Sequence, residues 1–165
     1  MMAVTQLNIK QVAIEIALAL LCGFILGLER QVRGKPVGMR TSMLIALGTV
    51  AYIQVCEAIT TSATDPTRVI GQIITGVGFL GAGVIMGRDG SIIGMTSGAM
   101  VWTLASIGCA IGFHQYVLGI AVTLTALLVL IGVRGLETLS KKLTRGVHKD
   151  VKGEYFEEEP SKEYF

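Results

Sequence analysis

The chain contains 165 residues, of which 52% are hydrophobic and only 16% are charged, against about 25% charged residues in typical soluble domains. Fourteen basic and 12 acidic residues are too few to cover the surface of a soluble domain of this length. The composition excludes an ordinary soluble enzyme and a disordered chain, and the net charge of +2 excludes a nucleic-acid binder. A polytopic membrane protein remains.

Five continuous apolar stretches are each long enough to cross a bilayer, which takes roughly 17–25 residues. Their continuity differs from the alternating pattern of membrane β-strands. The stretches cover residues 12–28, 39–58, 69–86, 96–113 and 116–133. The sequence therefore predicts an all-α membrane protein, a bundle of five transmembrane helices. The first stretch is expected to be a retained helix, because it is longer than a signal-peptide core and has no small-residue cleavage site.

The remaining residues follow the predicted transmembrane domain, which covers residues 1–133. Residues 134–149 combine basic side chains with leucines at helical spacing, which predicts a short amphipathic segment on the cytoplasmic membrane surface. Residues 150–165 form an acidic, polar tail whose composition is typical of disorder.

The basic residues are distributed unequally between the two sides of the predicted bundle. All lysines and arginines except Lys10 and Arg68 fall on one side. Because short cytoplasmic loops are enriched in basic residues, we expect the N-terminus outside and the C-terminus in the cytoplasm. The predicted location is a bacterial inner membrane.

The loop after the first stretch is compact and strongly basic. It begins at Glu29 and Arg30 and ends near Arg40, with glycine and proline between them. A loop of this kind either only fixes the topology, or it pairs Glu29 with an arginine and presents the other cations to an anion, a lipid head group or an acidic partner. We take Glu29, Arg30 and Arg40 as candidate functional residues under the second reading.

Asp65 and Arg68 are the polar candidates at the opposite side. Asp65 precedes a proline at the start of the third stretch, a pattern typical of a helix N-cap. A cation such as Arg68 in the first turn is disfavoured by the helix dipole, so a nearby acid should compensate its charge. We expect an Asp65–Arg68 ion pair, with Glu57 and Glu15 as alternative acids at similar depth; Glu15 could also reach the interface with no role.

Glycines are concentrated in the third stretch and occur elsewhere in pairs four residues apart. Small residues let helices approach closely in lipid, so these positions predict helix packing. The paired positions are Gly23/Gly27, Gly83/Gly87, Gly94/Gly98 and Gly108/Gly112, and the packing candidates of the third stretch are Gly76, Gly78, Gly81 and Gly83. Their spread around the helix predicts that the third helix is central, although local unwinding or a re-entrant segment is the alternative.

Each candidate motif for catalysis or metal binding in the sequence lacks a part that its chemistry requires. The segment Gly76–Gly81 fits G-x-G-x-x-G, but it lacks the preceding strand and the following acid that a dinucleotide site requires. The three cysteines lie on different stretches, and a magnesium site at Asp65 and Glu57 would be weakened by the neighbouring Arg68. We therefore expect no enzymatic activity, no metal site and no cofactor.

Four segments in order resemble the MgtC/SapB family of bacterial inner-membrane proteins. They are Gly27–Arg30, Gly38–Thr41, Asp65–Arg68 and Gly76–Gly83. The resemblance covers roughly residues 12–133 and implies a transmembrane module associated with adaptation to low magnesium and, in pathogens, with survival inside host cells. It also implies regulation of membrane ATPases or ion transport. MgtC itself has a small soluble C-terminal domain that this chain is expected to lack, so roles of that domain are not carried over.

These observations lead to one principal functional expectation and one alternative. The principal expectation is a non-enzymatic regulatory membrane protein that forms a homodimer through glycine-rich faces and acts on a membrane ATPase or transporter. The alternative is a small-solute or ion transporter or channel in which the third helix is broken and Arg68 lines a path for anions.

Overall fold

The computed structural model describes residues 8–59, 65, 67–88 and 91–139. Five α-helices make up nearly all of this part of the chain, which confirms the predicted all-α membrane architecture. The helices are α1 Ile9–Val32, α2 Met39–Ile59, α3 Thr67–Gly83, α4 Met95–Gly112 and α5 Tyr116–Leu139. A short antiparallel hairpin, β1 Met86–Arg88 and β2 Ser91–Ile93, lies between α3 and α4.

The chain comprises two compact units, Met1–Val129 and Leu130–Phe165. All the packing described below lies within the first unit. In the second unit, helix α5 continues to Leu139, which covers the start of the predicted amphipathic segment. The rest of that segment and the predicted acidic tail lie outside the described residues.

In the described part of the chain, four helical segments are long and apolar enough to cross a membrane: α1, α2, α4 and residues Tyr116–Val133 of α5. Helix α3 has 17 residues, and at 1.5 Å per residue it is about 25 Å long, slightly less than the roughly 30 Å hydrocarbon core. A membrane span at α3 therefore stays a prediction.

The predicted third span, 69–86, extends too far at its end. Val84 and Ile85 leave the helix in a turn closed by bonds to the carbonyls of Gly81 and Ala82, and Met86 begins β1. Gly94 then leads into α4 with a φ of +90°, where a Cβ would lie 2.2 Å from the carbonyl oxygen of Val84. A hydrophobic run alone does not show where within it a helix ends.

Helices α1 and α2 pack tightly because α1 carries glycine at the contact. A Cβ on Gly23 would lie 2.8 Å from the Cα of Met43, and one on Gly27 would lie 2.6 Å from the Cα of Met39. Any side chain at these two positions would push the backbones apart. The predicted packing role of the Gly23/Gly27 pair is confirmed.

The second glycine pair, on α4, brings α4 against α2 in the same way. A Cβ on Gly108 would lie 2.6 Å from the Cβ of Thr49, and one on Gly112 would lie 2.7 Å from the Cβ of Ile53. Helices α2 and α4 run in the same direction and together form the centre of the unit.

Helix α3 lies at the periphery, so the prediction that it is the central helix is wrong. It is a continuous helix rather than an unwound segment, and only Val77 and Gly81 are buried on it. Gly81 faces the carbonyl oxygen of Gly98 on α4. A Cβ on each of the other packing candidates, Gly76, Gly78 and Gly83, would meet no described atom within 4 Å. A stripe of glycines permits close contact but does not determine that a neighbour is present.

The middle of the unit is filled by apolar side chains. Among the residues with no exposed surface are Ala19 and Leu26 of α1, Val50 and Ile53 of α2, and Leu104 and Ile107 of α4. The outward surface is also apolar, with large exposed side chains on α5 such as Val117, Leu124 and Leu128. Apolar side chains on the outside as well as the inside are expected when lipid is the solvent.

Candidate functional site

The charged side chains of the first unit gather at its two ends. Because α1 and α2 are antiparallel, one end carries the start of α1 and the end of α2; we call it the Glu15 end. The other carries the end of α1 and the start of α4, and we call it the Arg30 end. Each end contains residues that are costly to place near lipid.

Arg30 is the central side chain of the Arg30 end and is only 5% exposed. Its Nη2 donates a hydrogen bond of 2.5 Å to the hydroxyl of Ser97 at the start of α4. Its Nε lies 3.5 Å from the carbonyl oxygen of Pro36, at the outer limit of a hydrogen bond. As a cation in the last turn of α1, Arg30 also interacts favourably with the helix dipole. Arg30 therefore fastens α1 to the loop and to α4.

Glu29 pairs with Arg33, one turn further along the chain. Its Oε1 lies 2.6 Å from Nε of Arg33, which confirms the expected pairing of Glu29 with a loop arginine. The Glu29 side chain is only 7% exposed, and its second oxygen, Oε2, has no hydrogen-bond partner among the described residues. This ion pair neutralises part of the basic loop from within.

The loop itself is folded back onto the bundle. Val37 is buried with a φ of 64°, and its carbonyl oxygen accepts a hydrogen bond from Ser42 on α2. The side chain of Gln31 caps the start of α2 by accepting from the backbone nitrogen of Met39. Arg40 is exposed, and its guanidinium forms no ion pair with the residues that the structure describes. Arg40 is thus the predicted cation that faces outward.

Asp65 and Arg68 are both exposed at the start of α3, and the expected ion pair between them is absent from the described part of the chain. Thr67 holds the carboxylate of Asp65 instead, through its backbone nitrogen at 2.9 Å and its hydroxyl at 2.7 Å. Chiefly these hydrogen bonds, with a smaller contribution from the charge of Arg68, hold the pKa of Asp65 below its ordinary value. The capping role predicted for Asp65 agrees with this geometry.

The Glu15 end contains a cluster that sequence reasoning missed. Glu15 of α1 is 0% exposed. Its Oε2 accepts a short hydrogen bond from Nε2 of Gln54 on α2. Its Oε1 accepts from the hydroxyl of Tyr116 on α5 at 2.8 Å and lies 2.7 Å from Nδ1 of His114. One carboxylate thereby joins α1, α2, α5 and the turn between α4 and α5.

His114 and Gln54 extend the cluster. Nε2 of His114 lies 3.2 Å from a carboxylate oxygen of Glu57 near the end of α2. Gln54 donates a second hydrogen bond, of 3.2 Å, to the carbonyl oxygen of Gly112 at the end of α4. The amide of Gln11 contacts the His114 ring at 3.0 Å. The available signal in the sequence was the presence of Glu15 and Gln54 inside two stretches that are long and apolar enough to cross a bilayer.

The five predicted polar residues do not form one site. Glu29, Arg30 and Arg40 belong to the Arg30 end, whereas Asp65 and Arg68 begin α3. Within the described ranges, no group of three histidine, cysteine, aspartate or glutamate side chains has a geometry that could hold a metal ion.

The sequence model of the MgtC family matches residues 16–139. The Escherichia coli K12 protein named "Putative magnesium transporter YhiD" is 42% identical over 119 residues, which cover 68% of this chain and 55% of that protein. "Protein MgtC" of Salmonella typhimurium 14028s is 39% identical over 109 residues, 66% of this chain and 46% of that protein. The chain therefore spans about half the length of these curated relatives. No solved structure matches it.

Proposed function

The chain belongs to the MgtC family, and we propose that it is a non-enzymatic regulatory protein of the bacterial inner membrane that acts under magnesium limitation. In this proposal it binds a membrane ATPase or transporter and changes that partner's activity. The name of the YhiD relative supports a link to magnesium. Because this chain spans about half of its relatives, every activity of a whole relative is part of the proposal.

The observation that carries the regulatory role is the apolar middle of the unit. Leu26, Val50, Leu104 and Ile107 are fully buried there, between the polar groups of the Glu15 end and those of the Arg30 end. A conduit for ions or polar solutes needs polar groups or water along its path. A packed apolar middle supports a protein that binds a partner over one that conducts solute through a single chain.

Arg40 is the residue that we propose for contact with the partner. It is exposed, whereas Arg30 and Glu29 are engaged in holding the loop. An exposed guanidinium that forms no ion pair among the described residues is suited to an acidic side chain or a lipid phosphate, which it can bind with two parallel hydrogen bonds. Asp65 and Arg68 form a second proposed contact at the opposite end.

The second candidate function is transport of a small solute or ion. The printed name of the YhiD relative favours it. In this case the conducting state would differ from the closed packing described above, and Arg68 would contact the solute.

A growth and binding experiment tests the regulatory role. In a strain without its own copy of the gene, Arg40→Ala is expected to insert normally but to lose growth at low magnesium and to lose co-purification of a membrane ATPase or transporter. Lys35→Ala, which removes an exposed cation from the same loop, is the matched control and is expected to retain both. Full growth and partner recovery with Arg40→Ala would argue against the assignment.

A flux experiment separates the two candidates. Purified protein in liposomes is expected to show no transport of magnesium or anions above the level of empty liposomes. Flux that is lost in Arg68→Ala would favour the transporter.

Cysteine labelling of residue 10 and of the C-terminal tail in intact cells tests the proposed orientation, with the N-terminus outside and the C-terminus in the cytoplasm.

A further inference from the structure

The Glu15 end contains two carboxylates that share one imidazole. We propose that Glu15, His114 and Glu57 form a proton-binding site, and that its occupancy controls whether the α4–α5 turn stays attached to α1 and α2. The proposal is independent of the regulatory function proposed above, because it rests only on the hydrogen bonds, exposure and charges of this cluster.

The first step concerns the charge of Glu15. Its two oxygens face donors from three elements: the amide of Gln54, the hydroxyl of Tyr116 and the ring of His114. An ionised carboxylate accepts hydrogen bonds on both oxygens and donates none, and such a set of donors compensates for the loss of water around a buried charge. The geometry therefore fits an ionised Glu15 that accepts a hydrogen bond from Nδ1–H of His114.

The second step concerns the other ring nitrogen. With Nδ1 protonated, a neutral ring presents the lone pair of Nε2, which would face the carboxylate of Glu57 at 3.2 Å. A lone pair and a carboxylate repel each other at this distance. In the proposed state, a second proton on the ring converts the contact into a charge-assisted hydrogen bond. A hydrogen bond between His114 and Glu57 thus requires a proton that the Glu15–His114 contact does not supply. Without that proton, Nε2 can accept a hydrogen bond from the amide nitrogen of Gln11, which lies 3.3 Å away.

The third step concerns access from solvent. The side chain of His114 is 40% exposed and that of Glu57 is 34% exposed, whereas that of Glu15 is 0% exposed. A proton can therefore enter and leave at the Nε2–Glu57 contact while Glu15 remains buried. The ring carries the effect of that proton to the interior, because its two nitrogens contact the two carboxylates.

Among the described groups around the two carboxylates, the imidazole of His114 is the group that can compensate their negative charge as a cation. The groups that face the ring are Gln11 and Glu15 from α1, Glu57 from α2 and Tyr116 from α5. Among the residues that the structure describes, no lysine or arginine pairs with either carboxylate within 4 Å. Two carboxylates beside one neutral imidazole would repel each other, so proton loss is expected to loosen the contacts.

The mechanical consequence falls on the α4–α5 turn. His114 has a φ of 62°, and its backbone nitrogen donates to the carbonyl oxygen of Ile111. A non-glycine residue in this conformation needs support from its surroundings. The contacts of the ring with α1 and α2 supply that support, and they weaken when the shared proton leaves.

Nitrogen-15 NMR of the imidazole tests the proton directly. The chain has two histidines, so His148→Gln leaves His114 as the one ring signal. In this protein, held in lipid nanodiscs, both ring nitrogens are expected to carry protons under conditions where the Glu57→Gln protein has a neutral ring with the proton on Nδ1, because the amide can donate to Nε2. The same protonation state of the ring in both proteins throughout a pH series would overturn the proposal.

Thermal unfolding tests the consequence for packing. The Tm of the His148→Gln protein is expected to fall by about 2–4 °C when rising pH removes the shared proton. His114→Asn, a residue type that tolerates positive φ, is expected to remove this pH dependence, and Glu57→Gln, which leaves the turn unchanged, is expected to reduce it. A Tm that does not fall with pH in the His148→Gln protein, or an undiminished fall in both variants, would refute the mechanism.

Discussion

Arg30 and Ser97 are 67 residues apart in the sequence, and the guanidinium of the first donates a 2.5 Å hydrogen bond to the hydroxyl of the second. The contact joins the end of α1 to the start of α4 across the Arg30 end. Because Arg30 is nearly fully buried, its charge depends on this hydroxyl and on the nearby backbone for compensation. The basic loop is thereby anchored to the helix core rather than free in solvent.

Removal of the Ser97 hydroxyl is expected to destabilise the protein. Ser97→Ala leaves a buried guanidinium short of one acceptor, which should lower the free energy of unfolding in mixed micelles by about 1–3 kcal/mol. The control is Ser106→Ala, because the hydroxyl of Ser106 is exposed and bonds only to a carbonyl of its own helix. This control is expected to change stability by less than about 0.5 kcal/mol. Equal effects of the two variants would contradict the anchoring role of Ser97.

The close contact of α1 with α2 predicts a strict size limit at Gly27. In Gly27→Ala the added methyl group would overlap the backbone of Met39, and we expect the free energy of unfolding to fall by about 1–3 kcal/mol. Gly48→Ala on α2 is the control, because its Cβ would meet no described atom within 4 Å. Thermal unfolding in the same detergent compares the two, and an unaltered Gly27→Ala protein would show that α1 and α2 are less tightly packed.

The environment of Asp65 predicts a specific pH dependence. Hydrogen bonds from Thr67 favour the ionised carboxylate and keep its pKa below the ordinary value. The contribution of Asp65 to the stability of the α3 start is therefore present above the ordinary pKa of aspartate and is lost as the pH falls through the lower, folded-state pKa. Carbon-13 NMR of the Asp65 carboxyl group should show this low midpoint, which Thr67→Val should raise toward the ordinary value. Thr75→Val, which removes a hydroxyl bonded to Gly71 within the same helix, should leave the midpoint unchanged.

The open glycines of α3 predict where a second copy would bind if the chain forms the proposed homodimer. Gly76→Leu is expected to reduce the crosslinked dimer in membranes at least several-fold while the unfolding temperature of the monomer stays the same, because a side chain at Gly76 meets nothing within the described part of the chain. Gly48→Leu provides the matched change on α2. Unreduced crosslinking in Gly76→Leu would exclude this face of α3 from the dimer.

Features that depend on local spacing could be predicted from the sequence. The pair Gly23/Gly27 packs as predicted because residues four apart lie on one helical face, and both meet the same segment of α2. Hydropathy likewise located the starts of all five helices to within three residues, whereas α5 ends six residues beyond the predicted stretch. The hairpin at Met86–Ile93 was missed because its two strands have only three residues each, which is too short to produce an alternating hydropathy pattern.

Features that depend on contacts between distant segments could not be predicted. Glu15 meets Gln54 and His114 across 39 and 99 residues, and no spacing rule connects them. The expected Asp65–Arg68 ion pair is absent for the opposite reason, because a residue close in sequence binds the carboxylate. The backbone nitrogen and the hydroxyl of Thr67 lie closer to the Asp65 carboxylate than the arginine does. The central position predicted for α3 was wrong, because the glycine content of a helix does not show which other helices pack against it.

The apolar layer that separates the two polar ends implies that they are energetically uncoupled. Ser97 and Gly112 lie on the same helix, 15 residues and hence about 22 Å apart along its axis. Changes that share no partner at such a separation usually add. A double-mutant cycle of Ser97→Ala with His114→Asn should therefore give a coupling energy below about 0.5 kcal/mol. Substitutions at one end of the bundle, whether natural or designed, should then leave the stability contribution of the other end unchanged.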